Sequence, residues 1–372
     1  VNSRTVAVVT PYYPPHLGGV EQYAARVARA VHEAPGLDAV VLTSRPGLRT
    51  RTSLEDGVRV VRLGAWFRLS NTPVSPLWPL QLRYWLRRTD ADVVHAHAPV
   101  PGLGDLAVAV AGHRPAVLTY HAGSMHKGGP GTGAADRLIG LYERRLLPRV
   151  FARARALVAV SPVSLAAGRP GALEISPGVD TGRFTPGPPP STRPPTLLYV
   201  GRIDRSSAWK GVDVLVRALA AVPGARLRLV GGGDAVADQL ALAASLGLAD
   251  RVTASGELTG PDLVRAVREA AVLVLPSVTE AESFGMVLVE AMACGTPVVG
   301  SRVGGIPYVV EDGRTGLLVP PGDPGALAGA CRMLLEDGAL ADRLGGAGLR
   351  TARERFSWDG LLARYVDLFR SL

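Results

Sequence analysis

Residues 276–299, Pro-Ser-Val-Thr-Glu-Ala-Glu-Ser-Phe-Gly-Met-Val-Leu-Val-Glu-Ala-Met-Ala-Cys-Gly-Thr-Pro-Val-Val, read as a strand end, a short loop, a helix and the start of the next strand. The apolar run Val272–Leu275 just before them has the length and composition of a strand buried in a parallel sheet. Ser283 can cap a helix that opens with Phe284, Gly285 and Met286, and Gly295-Thr296-Pro297 closes it. Glu282 then stands just before the helix and Glu290 inside it. Glu290 lies among Met286–Val289 and Ala291–Cys294, a setting with no obvious polar face, so its carboxylate needs partners. A helix start offers unpaired N–H groups and a partial positive charge, which suits a phosphate, and Gly285 lets a ligand approach the backbone closely. Carboxylates on both sides of such a site can accept hydrogen bonds from hydroxyls. The ligand this describes is a nucleotide sugar.

The remainder of the chain repeats the same alternation. Apolar runs at Val6–Thr10, Ala39–Thr43, Val58–Leu63, Val93–His97, Ala116–Tyr120 and Ala156–Ser161 predict strands of a doubly wound sheet. A second series starts at Thr196–Val200 and continues through Arg226–Val230, Val272–Leu275 and Val299–Gly305. Between the two series lies 185–195, Thr-Pro-Gly-Pro-Pro-Pro-Ser-Thr-Arg-Pro-Pro, which reads as a linker. At 372 residues the chain has room for two domains. Its 20% charged and 47% hydrophobic residues exclude a disordered protein. Two cysteines give no disulfide framework. No signal peptide precedes the first strand and no apolar run is long enough to span a membrane, so a cytoplasmic location is expected.

The formal charge of +9 is uneven: residues 1–188 hold 22 basic and 12 acidic residues, so the first half is +10 and the second −1. That asymmetry fits an anionic acceptor or an anionic membrane surface near the first half. The predicted helix over 136–150, with Arg137, Arg144, Arg145 and Arg149, is the candidate for peripheral membrane contact, against the simpler reading of a solvated basic face. Nothing in the pattern suggests a nucleic-acid partner.

Several residues are placed where chemistry can happen. Arg202 and Lys210 flank a strand-to-helix loop, a cationic pair suited to a diphosphate. His121, in Leu-Thr-Tyr-His-Ala-Gly, follows a strand at the end where ligands gather, whereas His95 and His97 read as core or wall. No metal is predicted, because those histidines lack further ligands at useful spacing and Asp90-Ala-Asp92 precedes its strand. Gly231-Gly-Gly-Asp234 reaches Val236 where a dinucleotide fingerprint needs a third glycine, so NAD is rejected and no cofactor is expected.

The stretch Glu-x-Phe-Gly…Glu-Ala-Met-Ala-x-Gly-x-Pro-Val-Val resembles the Glu-x7-Glu motif of the retaining glycosyltransferases of family 4, which have the GT-B fold. Gly201-Arg202…Lys210-Gly211, the loop Pro-Pro-His-Leu-Gly-Gly-Val-Glu-Gln-Tyr at 14–23 and the segment at 175–184 are similar to that family as well. The resemblance implies two facing Rossmann-like domains with an inter-domain cleft: an acceptor-binding domain over 1–188, a nucleotide-sugar-binding domain over 189–355, and a terminal helix, 356–372, crossing back to the first. It implies a metal-independent hexosyltransferase that moves sugar from a UDP- or GDP-sugar to an acceptor hydroxyl on a lipid-linked saccharide, a polyol or a small natural product. Arg202 and Lys210 would hold the leaving diphosphate, Glu282 and His121 the sugar, and Glu290 the ribose. Gly19, Ser283, Phe284 and Gly285 would contact the donor, with Leu258 beside the base. His16, in the first loop, and Lys127, in the glycine-rich run 122–135, would face the acceptor. A sugar-nucleotide epimerase on the same fold, or a binding protein without turnover, is the alternative.

Overall fold

A computed structural model of the chain describes residues 3–15, 19–69, 72–125 and 133–372. Two compact units are present: Val1–Ser176 with Asp359–Leu372, and Pro177–Trp358.

Unit 1 runs β1 (Arg4–Thr10), α1 (Gly19–Glu33), β2 (Leu37–Pro46), β3 (Arg51–Glu55) and β4 (Val58–Ala65). A small hairpin, β5 (Phe67–Leu69) and β6 (Thr72–Val74), leads to α2 (Trp78–Arg88), β7 (Val93–Ala98), α3 (Leu103–Val110) and β8 (Ala116–Tyr120). Then come α4 (Gly133–Leu141), a π-helical turn at Tyr142–Leu146, α5 (Leu147–Arg153), β9 (Ala156–Ala159) and β10 (Leu173–Glu174). The sheet order is β10-β9-β8-β7-β1-β2-β4-β3, parallel except for β3 against β4. Leaving out the antiparallel edge strand β3 and the two-residue β10, this is the doubly wound order, with its switch point between β1 and β7. The central strands are buried on both faces, Val6–Val9 completely, which is why they read as continuous apolar runs. Asp92 is structural as expected: its carboxylate accepts from the Thr5 amide at 2.8 Å and ties β7 to β1.

Unit 2 repeats the design with β11 (Thr196–Val200), α6 (Val212–Leu219), β12 (Arg226–Val230), α7 (Val236–Ser245), β13 (Val252–Ala254) and α8 (Gly260–Glu269). It continues with β14 (Val272–Leu275), α9 (Met286–Ala293), β15 (Val298–Ser301), α10 (Ile306–Val309), β16 (Leu317–Val319), α11 (Pro324–Glu336) and α12 (Gly338–Arg355). All six strands are parallel in the order β13-β12-β11-β14-β15-β16, with the switch point between β11 and β14. The last helix, α13 (Trp358–Ser371), belongs almost wholly to unit 1. Its Tyr365 and Phe369 are buried there against His95, and the Phe369 carbonyl accepts from Arg4 at 2.8 Å.

Two sequence expectations are corrected. The division between units falls at Ser176–Pro177 instead of 188, because Val179 and Phe184 insert into the core of unit 2. The proline-rich run 185–195 is not a free linker. Arg193 within it is buried and donates to the Ala270 carbonyl at 2.8 Å, the Thr296 hydroxyl at 2.7 Å and the Pro188 carbonyl at 2.7 Å. Burial pulls its pKa down to about 10, still fully charged at neutral pH. Truncating a buried, multiply bonded guanidinium orphans every acceptor it served. Arg193→Ala should therefore lower unfolding free energy by about 3 kcal/mol, and Lys, which lacks the planar fork, should restore less than half; chemical denaturation of the two variants against the parent checks both.

Candidate active site

In unit 2 the predicted residues gather at the carboxyl ends of β11 and β14, beside the switch point where doubly wound sheets bind ligands. After β11 the chain passes Gly201 and Arg202 and makes a short 3₁₀ segment, Arg205–Lys210, before α6. Gly211 ends that segment in the left-handed region, φ +67°, and a Cβ there would stand 2.1 Å from the Pro276 carbonyl. Glycine thus lets the Lys210 loop lie directly on the loop after β14, and the Val278 amide bonds the Trp209 carbonyl at 2.8 Å. Gly305 plays the same part on the other side: its amide bonds the Glu282 carbonyl at 2.7 Å, and a Cβ would sit 2.1 Å from the Ser283 carbonyl. Backbone contacts bring the three loops together.

The side chains follow from that packing. Lys210 Nζ donates to Glu282 Oε2 at 3.0 Å, with the two side chains only 19% and 12% exposed. The ammonium lies 4.5 Å from the Trp209 ring centre, and Ser277 Oγ donates to the same carboxylate oxygen at 3.2 Å. Arg202 is exposed and is paired with Asp204. Trp209, Ser277 and Gly305 were not singled out from sequence; a Trp before Lys210-Gly211 and a glycine pair after β15 were the available signals.

The expected cap at Ser283 is corrected. Gly285 is the N-cap of α9, in the left-handed region at φ +87°, so the helix opens at Met286. The Leu288 amide bonds the Gly285 carbonyl at 2.9 Å, whereas the amides of Gly285, Met286 and Val287 have no acceptor among the described residues. Phe284 is not available as a side-chain contact: it is buried, packed edge-on against Phe356 and beside Tyr308, so only its backbone faces the loop. Glu290, one face further along α9, is half-buried and makes no hydrogen bond or ion pair among the described residues. Desolvation pushes its pKa up to about 7, opposed by the positive charge of Arg183, another residue the sequence did not flag. Leu258 is half-buried against the same core. A separate cavity of about 720 Å³, between 183–188 and α8, shares no lining residue with these loops.

In unit 1, His121 follows β8 and is buried. Its Nε2 lies 2.8 Å from His97 Nδ1, and its ring packs edge-on against Tyr23 with centres 4.9 Å apart. His95 and His97 are core residues, as read from sequence. The polarity of the network behind them is set by one carbonyl. The Ile175 carbonyl can only accept, so Tyr23 donates to it at 2.9 Å, Tyr365 donates to Tyr23 at 2.8 Å, and Thr119 donates to Tyr365 at 2.8 Å. His95 must then carry its proton on Nε2, which donates to Thr119 at 2.8 Å. Gly19 opens α1 and is exposed. His16 and Lys127 lie outside the described residues, as does most of the run 122–135. The helix predicted over 136–150 is present as α4, the π turn and α5 in unbroken succession, with Leu138, Leu141 and Leu146 exposed among its arginines. No described helix is long and apolar enough to cross a membrane, and no described group of three or more His, Cys, Asp or Glu could hold a metal.

Burial holds the pKa of His95 and His121 down at about 3 and that of His97 well below its usual value. The unfolded chain binds protons at these sites near pH 6.5, the fold does not, so stability is full above about 6.5 and is lost as pH falls toward about 3. Glu290 and Asp105, raised by burial to about 7 and about 6, act in the opposite sense as pH falls through those values and offset up to two of the three protons. Thermal stability should fall between pH 7 and 5, and His97→Gln should flatten the slope of unfolding free energy by about 1.4 kcal/mol per pH unit; a parallel slope in the variant would contradict the burial argument.

Comparison with known proteins places this geometry. Residues 17–183 match the family described as Glycosyltransferase Family 4, and residues 194–337 match Glycosyl transferases group 1. A D-inositol 3-phosphate glycosyltransferase of Acidothermus cellulolyticus is 32% identical over 95% of this chain and 85% of its own length. A phosphatidyl-myo-inositol mannosyltransferase of Mycobacterium leprae is 29% identical over 99% and 96%. Among solved structures, sucrose-phosphate synthase from Thermosynechococcus elongatus aligns with a TM-score of 0.80 and 26% identity over 99% of this chain and 98% of that one. Anabaena HepE in complex with UDP aligns with a TM-score of 0.76 at 20% identity, over 99% and 100%, a likeness of fold alone. Two family matches in tandem and a relative aligned along most of both lengths establish that the chain belongs to glycosyltransferase family 4, with the GT-B fold of two Rossmann-like halves.

Proposed function

We propose that this glycosyltransferase moves a hexose from a nucleoside diphosphate sugar to an acceptor hydroxyl with retention of anomeric configuration, and that unit 2 binds the donor. The observation that carries this reading is the meeting of Lys210, Glu282 and the open amides of α9 at the switch point of the unit 2 sheet. Cations and unpaired N–H groups there suit two phosphates. Arg202 and Lys210 stabilise charge on the departing diphosphate, a role that needs no metal. A donor phosphate would compete with Glu282 for Lys210, and the freed carboxylate then accepts from a sugar hydroxyl. Glu290, a half-buried carboxylate with no hydrogen bond or ion pair among the described residues, would accept from the ribose hydroxyls, which would lower its pKa again. Leu258 is a further contact for the donor in unit 2, and a phosphate oxygen of the donor takes the acceptor proton in a front-side displacement. Unit 1 carries the acceptor. The names of the two curated relatives favour an inositol-type alcohol, free or lipid-borne.

Thermal shifts with UDP, GDP, ADP and NAD identify the base: one nucleoside diphosphate at a hundredfold excess over its dissociation constant should add about 2.7 kcal/mol, and stabilisation by NAD alone would refute the reading. Lys210→Ala should lower transfer at least a hundredfold, about 2.7 kcal/mol of barrier, with the fold intact by circular dichroism; unchanged transfer sinks the diphosphate role. Transfer should persist in a chelator, and the anomeric configuration of the product, read by NMR, tests retention. Release of an altered nucleotide sugar without acceptor would identify an epimerase instead.

A further inference from the structure

The carboxyl ends of β1, β2 and β4 in unit 1 surround a cavity of about 650 Å³, a size that suits a small molecule. Its walls include Tyr12, Tyr13, Arg45, Arg62, Trp66 and Arg68. Three arginines line one cavity, and their charges are not equally balanced. Arg62 is neutralised by Glu55 and also donates to the Pro14 carbonyl at 2.6 Å. The other acid of that turn, Asp56, is held by Arg29. Among the described residues Arg45 donates to the Arg49 carbonyl, at 2.9 Å. Arg68 donates to the Tyr12 hydroxyl at 3.1 Å and lies 5.7 Å from the centre of that ring. Neither Arg45 nor Arg68 has a carboxylate partner among the described residues, and the residues outside that set include no Asp or Glu.

Beside these two cations the chain leaves large aromatic surface in solvent. Trp66 is 48% exposed and Phe67 is 56% exposed, on and next to the β5–β6 hairpin. Tyr13, whose pKa burial pushes up to about 12, keeps its hydroxyl proton at any working pH and adds a neutral donor to the wall. Two unneutralised guanidiniums, which present planar forks of N–H groups, together with exposed rings, fit a ligand with a phosphate at one end and a ring at the other. The strand ends around the cavity are the side of a doubly wound sheet where ligands gather.

We propose that this cavity is a phosphate-ester site and that it holds the charged end of the acceptor, with Arg45 and Arg68 as the anion-binding residues and Trp66 and Phe67 as the flat surface beside it. The assignment of the ligand as acceptor rests on the transferase reading above. The phosphate can come from a soluble sugar phosphate or from a phospholipid headgroup.

Binding is measured on the full chain without donor, so that its failure is separate from failure of transfer. Glucose 6-phosphate, glucose, vesicles of phosphatidylcholine, and the same vesicles with phosphatidylinositol are titrated against tryptophan fluorescence, with Trp66→Phe as the control for the signal. Glucose 6-phosphate should bind at least tenfold more tightly than glucose, or the phosphatidylinositol vesicles tenfold more tightly than the plain ones; the first result assigns a soluble source and the second a lipid one. Arg45→Gln/Arg68→Gln should lose the preference, while Arg45→Lys/Arg68→Lys, which keeps charge but not the forks, should retain part of it. Arg83→Gln, on α2 and not part of the cavity wall, should leave it unchanged. Equal binding of charged and neutral probes, an unaffected Gln double variant, or no binding of any probe would overturn the proposal.

Discussion

The ion pair between Lys210 and Glu282 is the constraint on which the candidate site of unit 2 depends. Two residues 72 positions apart meet because their loops leave adjacent parallel strands, β11 and β14, at the same end of the sheet. Both side chains are largely withdrawn from water, so neither can lose its partner cheaply: removing one member of such a pair leaves an uncompensated charge. The close approach is a backbone achievement first. A side chain at Gly211 or Gly305 would collide with a carbonyl of the facing loop, and the lysine and glutamate would then be held apart whatever their identities. Packing precedes electrostatics here.

The same logic explains what was legible in the sequence. Strands buried on both faces, such as Ala116–Tyr120 and Val272–Leu275, were bounded to the residue because continuous apolar runs between polar turns have one reading in an α/β chain. That the loops carrying Arg202 and Lys210 and those carrying Glu282 and Ser283 leave adjacent strands at one sheet end followed from topology plus strand ends. The start of α9 did not follow: Ser283 is a good cap by type, but Gly285 adopts the left-handed conformation two residues later and begins the helix there. Phe284 was read beside the donor, yet a large apolar ring next to Phe356 goes to the core. Local chemistry names candidates for a cap or a contact, and tertiary packing chooses among them.

The proline-rich run shows the limit most clearly. Its composition argues for a linker, and an arginine within it argues for solvent. Neither indication contains the information that the Ala270 and Pro188 carbonyls and the Thr296 hydroxyl converge on the guanidinium of Arg193. β3 was missed for a related reason. It is an exposed edge strand paired antiparallel to β4, so no apolar run marks it.

The charge asymmetry of the sequence gains meaning only when each cation is followed to its partner. An excess of ten basic residues in 1–188 could all have been solvated surface. Instead the structure sorts them. Arg62 is spent on Glu55, Arg29 on Asp56, and Arg114 on the carbonyls of Ala91 and Leu86. Those arginines hold turns and loops in place and offer a ligand little. Arg45 and Arg68 line the same cavity as Arg62 but, unlike it, have no carboxylate partner among the described residues. A positive field that the fold does not use for itself is the part of a net charge that a partner can feel, and it is localised where a doubly wound sheet presents its ligands. Composition sets how much charge there is; the pairing of each guanidinium decides how much of it is left to bind something else.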